Sequence, residues 1–181
     1  MKRLRIVLVA ALALSGACSS ERPTVQDYYA LLPDLVRALE EDGRRNAQGQ
    51  PSAGPLWVDA ASFTGGAWQL TRERVPTDSI VAAMRRPDAR PATPKEALIT
   101  EDTSGVGGRW VREYGVLARV NLVKWEPGEV AVTAANYTTD RRPWPTDICE
   151  RVLRITYRNT GEGRWERAGT EVRYECDTPR G

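Results

Sequence analysis

Histidine is absent from the chain, which removes the commonest general base and metal ligand and with them every Ser-His, Cys-His or HExxH arrangement. No GxSxG and no SxxK motif occurs either. Acid–base chemistry would fall to carboxylates, and Asp59, Asp78, Glu96, Glu101 and Asp102 are the candidates. Nothing in their spacing pairs one with another, and solvated surface acids account for the same residues. Ser104 to Gly108 (SGVGG) is rich in glycine but lacks the Lys-Ser/Thr that would make it a phosphate loop, and reads as a plain flexible loop. No metal site and no cofactor is expected.

Sulfur is the other reactive element, in three cysteines. Cys18 closes a leader with three zones: the basic Met1-Lys2-Arg3-Leu4-Arg5, the apolar Ile6 to Leu14, and the small Ser15-Gly16-Ala17. That is the layout of a secretory signal, too short for a spanning helix. The stretch LSGAC resembles the lipobox of a bacterial lipoprotein precursor, although Ser15 stands where that family generally has leucine, and Ser15-Gly16-Ala17 also fits an ordinary small-x-small cleavage site. The resemblance implies that residues 1–17 are a signal peptide, that Cys18 is lipidated and becomes the first residue, and that residues 18–23 tether a single domain spanning 24–181. The membrane is then a partner through the anchor at Cys18. Ser19, rather than aspartate, after the cysteine implies an outer-membrane lipoprotein facing the periplasm, with a soluble periplasmic or secreted protein as the alternative.

With Cys18 on lipid, Cys149 and Cys176 remain as an even pair in an oxidising compartment, and a disulfide is the default. Period-two reading places Cys149 in phase with Leu153, Ile155 and Tyr157, and Cys176 in phase with Val172 and Tyr174, so both sulfurs should face one core. A hairpin turn over Asn159 to Gly163 that paired Arg158 with Arg164 would leave Cys149 opposite Arg173, too far from Cys176 to bridge. Either a loop reaching about Arg167 or a bulge, with Ala168-Gly169 as its place, must correct the register.

Charge excludes one class of partner. The 26 Lys and Arg become 23 once Lys2, Arg3 and Arg5 leave with the leader, against 24 acids, so the mature chain is close to neutral and nucleic-acid binding is not expected. The segment 138–147 (TTDRRPWPTD) is longer than most hairpin loops and carries Arg141, Arg142 and Trp144, residue types favoured at binding hot spots. It is the candidate protein-recognition loop; Trp144 folded back on the sheet is the competing reading. Trp110, Tyr114, Trp125, Tyr157 and Tyr174 could line a pocket in a curved sheet, or simply fill its core.

The elements that position these residues follow from periodicity. Thr24 caps an amphipathic helix through Tyr28, Leu31, Leu32, Leu35, Val36 and Leu39 that Gly43 stops and Pro33 kinks or splits. Leu56 to Phe63 reads as a short strand, Thr77 to Met84 as a short helix, residues 85–94 as a loop and Ala97 to Thr100 as a short strand. Trp110 to Trp125, alternating through Val116, Ala118, Val120 and Leu122, then Val130 to Tyr137, 149–158 and 164–176 form a four-stranded antiparallel meander. The fold class is α+β: an N-terminal helix packed on a curved antiparallel sheet of about four to five strands. That layout resembles the NTF2-like and cystatin-like folds, as architecture only. The function expected is a membrane-anchored binding or accessory module, in envelope assembly or as an immunity-type inhibitor. A carboxylate-dependent hydrolase of an envelope polymer and a small-ligand pocket protein are the alternatives.

Overall fold

The computed structural model describes residues 22–46, 54–101, 108–140, 147–161 and 163–176. Its first element, α1 (Val25–Asn46), is one unbroken helix through Pro33. Thr24 and Asp27 begin it by exchanging bonds, the Asp27 amide donating to Thr24 Oγ1 and the Thr24 amide to Asp27 Oδ2. Tyr28, Leu31, Leu32, Leu35, Val36 and Leu39 form the buried stripe that the spacing indicates. Gly43 does not stop the helix. A Cβ there would lie 2.7 Å from Val116 Cγ1, so its glycine lets the helix touch the sheet.

The expected strand over 56–63 is only three residues long. It forms β1 (Leu56–Val58), and Asp59 then caps a second helix, α2 (Ala60–Thr71). The Thr64-Gly65-Gly66 sequence hides this helix from a propensity reading. Gly66 is there because a Cβ would sit 2.6 Å from the hydroxyl of Tyr28. After α3 (Thr77–Ala83) the proline-rich segment contributes β2 (Ala89–Pro91) and α4 (Pro94–Ala97), followed by β3 (Leu98–Glu101).

The long strand expected from Trp110 to Trp125 is two strands in different sheets. β4 (Gly108–Val111) pairs antiparallel with β3, a 3-10 turn follows at Arg112–Tyr114, and β5 (Val116–Glu126) enters the main sheet. The main sheet continues through β6 (Glu129–Asp140), β7 (Asp147–Gly161) and β8 (Arg164–Glu175), the antiparallel meander read from the sequence. β1 joins β5 in parallel and β2 joins β1 in parallel, giving a mixed six-stranded order β2-β1-β5-β6-β7-β8. The fold is α+β, with a mixed main sheet rather than an all-antiparallel one.

The helices cover one face of that sheet and build the main core on Leu35, Leu39, Phe63, Val132, Leu153 and Ile155. On the opposite face, Trp57, Ala97, Val111 and Leu117 form a smaller cluster under β3 and β4. The alternation in β5 holds only to Val120: a bulge between Val120 and Leu122 reverses the phase, so Leu122 is 40% exposed and Val123 turns inward. Because β1 covers only residues 116–118 of β5, the rest of that strand edge needs other acceptors. α2 supplies them: the Val120 amide donates to Ser62 Oγ (3.0 Å) and the Val123 amide to Gln69 Oε1 (2.6 Å).

Cys149 and Cys176 form the disulfide, with Cα atoms 5.3 Å apart. The register is corrected by bulges and not by a longer loop, because the strands pair up to Gly161 and Arg164 and a bulge at Thr160 starts the shift. Arg158 pairs with Glu166 rather than Arg164, and Ala168 bulges between Arg167 and Gly169. A further bulge at Arg173 brings Cys176 opposite Glu150, whose carbonyl accepts its amide at 3.0 Å. One half of the phase argument fails. Leu153, Ile155 and Tyr157 are buried with Cys149, but β8 is the outer strand of the sheet and leaves Val172 and Tyr174 43% and 53% exposed.

Two consequences can be measured. Reduction of the Cys149–Cys176 bridge, which spans 27 residues, should lower the unfolding free energy by about 3 to 4 kcal/mol; a loss below about 1 kcal/mol in urea titration would show that the other β8 contacts hold the strand unaided. Gln69→Ala leaves the Val123 amide without an acceptor and should cost about 1 to 3 kcal/mol, with faster hydrogen exchange at Val123 but not at Val132. Unchanged exchange at Val123 would rule out the helix as the cover of this edge.

Candidate functional site

At the C-terminal end of α1 the chain builds a cleft of about 620 Å³ walled by Arg44, Pro55, Pro87, Asp88, Arg90 and Glu113. Its rear support is Trp57 on β1. The indole N–H donates to the Arg112 carbonyl (3.0 Å), while the Arg90 and Arg112 guanidinium groups lie 5.4 and 6.0 Å from the ring centroid. Gly115 lets the 3-10 turn close onto this support, since a Cβ would meet the Pro55 carbonyl at 2.2 Å and the Trp57 ring at 3.0 Å. The approach forces two successive residues, Glu113 (φ 53°) and Tyr114 (φ 51°), into the left-handed region, at about 1 to 3 kcal/mol each.

That conformation sets Glu113 at the mouth, where Arg90 Nη1 donates to both its oxygens at 3.0 Å. Both side chains are half exposed, so the pair contributes about 0 to 1 kcal/mol and cannot offset the backbone cost. Packing of Trp57 against Gly115 has to hold the turn instead.

Beneath the cleft, Glu40 is buried and accepts from Arg44 Nη2 (2.7 Å) on one oxygen and from Arg86 Nη1 on the other. Arg86 also grips Asp88 with Nε and Nη2 at 2.9 and 2.7 Å. Burial alone would raise the Glu40 carboxyl, but the hydrogen bonds and charges of Arg86 and Arg44 outweigh it and hold it below the usual range. The hydrogen bond from Arg86 brings Asp88 down to about 2. The cleft is therefore lined by fixed charges of both signs, with its two shifted carboxyls held as anions.

Of the carboxylates named from the sequence, Asp59 and Glu96 cap helices away from the cleft. Asp59 is buried at the start of α2, where it accepts from the Ser62 amide (3.4 Å) and from Arg119 Nε (2.9 Å). Asp78 is an exposed acid of the first turn of α3. Glu96 closes a capping box with Thr93, whose amide and hydroxyl donate to it at 2.7 and 2.8 Å and lower its pKa. The side chain of Glu101, and Asp102 altogether, lie outside the described residues. The sites at Cys18 and at Arg141, Arg142 and Trp144 also lie outside them. Of the segment 138–147 expected as a loop, Thr138 to Asp140 end β6 and Asp147 begins β7: Asp140 is buried, and Asp147 takes a fork from Arg109 on β4 at 2.8 and 3.1 Å.

The five aromatic residues expected to line a pocket are not gathered together. Tyr157 is core and Trp125 packs partly against it, Trp110 pairs with Ile99 in the small sheet, and Tyr114 and Tyr174 are exposed. Among the described residues no three His, Cys, Asp or Glu side chains meet to hold a metal ion, and no helix is long and apolar enough to cross a membrane. The cleft residues Glu40, Arg44, Arg86, Arg90 and Glu113 escaped the sequence reading. The charge density of Arg85 to Pro91 (RRPDARP) was the available signal, but nothing local ties it to Glu40 or Glu113.

No family model, no curated protein and no solved structure matches the chain.

A lowered carboxyl adds stability that is complete above its unfolded value, 4.5 for Glu40, and is lost as pH falls through the lower folded value. Glu40→Gln should therefore cost about 2 kcal/mol at neutral pH and flatten the decline of stability below that point. Urea titrations at stepped pH check it, and parallel curves for the two proteins would show that Glu40 carries none of the acid sensitivity.

Proposed function

We propose that the mature chain is a bacterial envelope lipoprotein, anchored through a lipidated Cys18, whose domain binds a protein partner with the end of the fold furthest from the anchor. The described residues begin at Arg22, four residues beyond Cys18, a span of at most about 14 Å. α1 starts there and its 22 residues run for about 33 Å. At its far end lie the cleft and, through the contact of Gly43 with Thr138, the end of β6 from which the Arg141, Arg142 and Trp144 loop departs. An outer-membrane protein facing the periplasm would thus hold this end outward.

The observation that carries the reading is the left-handed Glu113-Tyr114 pair, which sets Glu113 on the cleft wall. Backbone cost retained beside a rigid, mixed-charge cleft supports a preformed recognition surface. Carboxyls held as anions favour binding over the general-acid step that a hydrolase of an envelope polymer would need. One long helix on a four-stranded meander also supports the likeness to NTF2-like and cystatin-like layouts, which bears on architecture alone.

Intact mass of the membrane-extracted protein should show acyl chains on a polypeptide starting at Cys18. Cross-linked partner recovered with that anchored protein should fall at least about tenfold, about 1.4 kcal/mol, in Arg90→Glu and in Trp144→Ala, while Arg158→Glu at the other end retains it. The exposed Arg90 pair leaves the unfolding midpoint of the first variant nearly unchanged. Equal recovery by all three variants, or release of fragments from an envelope polymer by the purified protein, would overturn the proposal.

A further inference from the structure

The end of the fold nearest Cys18 has a composition of its own. Three chain segments meet there: the start of α1, the β5–β6 turn at Pro127-Gly128, and the β7–β8 hairpin, whose Asn159 amide donates to the Gly128 carbonyl at 3.0 Å. Two partly buried tryptophans stand at this rim. Trp165 donates its indole N–H to Asp27 Oδ1 at 2.8 Å, and Trp125 lies under the guanidinium of Arg22 at 5.9 Å. The Trp125 indole nitrogen is itself buried and has no hydrogen-bond partner among the described residues, so it is the edge of the ring that reaches the surface. Tryptophan is enriched in the headgroup layer of bilayers, and both rings keep part of their surface exposed at this rim.

We propose that this rim, with Trp125 and Trp165 leading, seats in the lipid headgroup layer that carries the anchor, so that the domain has a fixed orientation rather than swinging on its tether. The inference rests on the lipidation of Cys18. It is argued from two features: the chain between Cys18 and Arg22 reaches no more than about 14 Å, and Trp125 and Trp165 both lie close to the tether's end, the first against Arg22 and the second through Asp27 beside Thr24. So short a tether keeps the rim at a high effective concentration beside the bilayer, so a contact too weak to recruit the free domain still orients the anchored one. The contact is aromatic rather than electrostatic. Among the described residues outside the ion pairs at this end, the cations Arg22 and Lys124 are outnumbered by the acids Asp27, Glu126 and Glu166, so there is no basic excess. The occupant that fits is therefore a zwitterionic headgroup surface, with no requirement for anionic lipid.

The test uses the full lipidated protein in phosphatidylcholine vesicles whose acyl chains are brominated near the headgroup, its acylation first established by intact mass. Bromolipid is expected to quench part of the emission of the six tryptophans, and Trp125→Phe/Trp165→Phe should lose most of that quenching. If this variant does not fold, Trp68→Phe/Trp110→Phe, which keeps both rim residues, must retain the quenching in full. An unacylated Cys18 overturns the anchor and the docking together. An acylated chain with no quenching, quenching that survives loss of both rim tryptophans, or quenching only when phosphatidylglycerol is added overturns the docking and leaves the anchor standing.

Discussion

Three aspartates on one stripe of α1 hold the outer half of the sheet to the helix. Asp27 accepts from Trp165, Asp34 from Tyr157 and Arg167 at 3.2 Å each, and Asp42 from Arg151 and Asn136 at 3.0 and 2.7 Å. Their separation by seven or eight residues returns each to the same side of the helix, two turns further on. β8 buries almost no side chain of its own, so hydrophobic burial cannot secure it. Its ladder to β7, these charged and indole contacts and the disulfide do so, which makes the register of the last hairpin a condition for the long helix to sit where it does.

The same sheet meets its edge problem in different ways. β8 carries alternating Arg and Glu and two bulges, features that discourage another strand from pairing with it. The inner edge of β5 is closed by side chains of α2, with Ser62 and Gln69 standing in for a strand. Asp59 links that solution to the opposite face: it caps α2 and takes the guanidinium of Arg119, which lies over the ring of Tyr137, whose hydroxyl donates to Glu150. Stability is distributed through polar contacts between distant segments as much as through the apolar core.

The two ends of α1 differ in setting. One starts the described body, and the other meets a cleft whose charges are fixed by Arg86, Glu40 and Arg44 and whose wall is held in a costly conformation by Trp57. Charged groups already paired on a rigid frame need little rearrangement to meet a partner of complementary pattern, and specificity rather than large affinity is what such a surface supplies.

The sequence by itself determined the amphipathic α1 and the meander from β5 to β8 with its turns, because a period of two or of 3.6 residues is set by the backbone of each segment. It also determined the Cys149–Cys176 pairing, because these are the cysteines left once Cys18 is set aside. Tertiary structure decided the rest. It made residues 60–71 a helix despite two glycines, because Gly66 must pass the Tyr28 hydroxyl. It broke the apparent strand at Arg112–Tyr114, because Gly115 packs on Pro55 and Trp57, and it recruited β1 and β2 in parallel. The cleft belongs wholly to this second group. Arg44, Arg90 and Glu113 come from three distant segments, and their meeting depends on close approaches between residues that carry no local signal of one another.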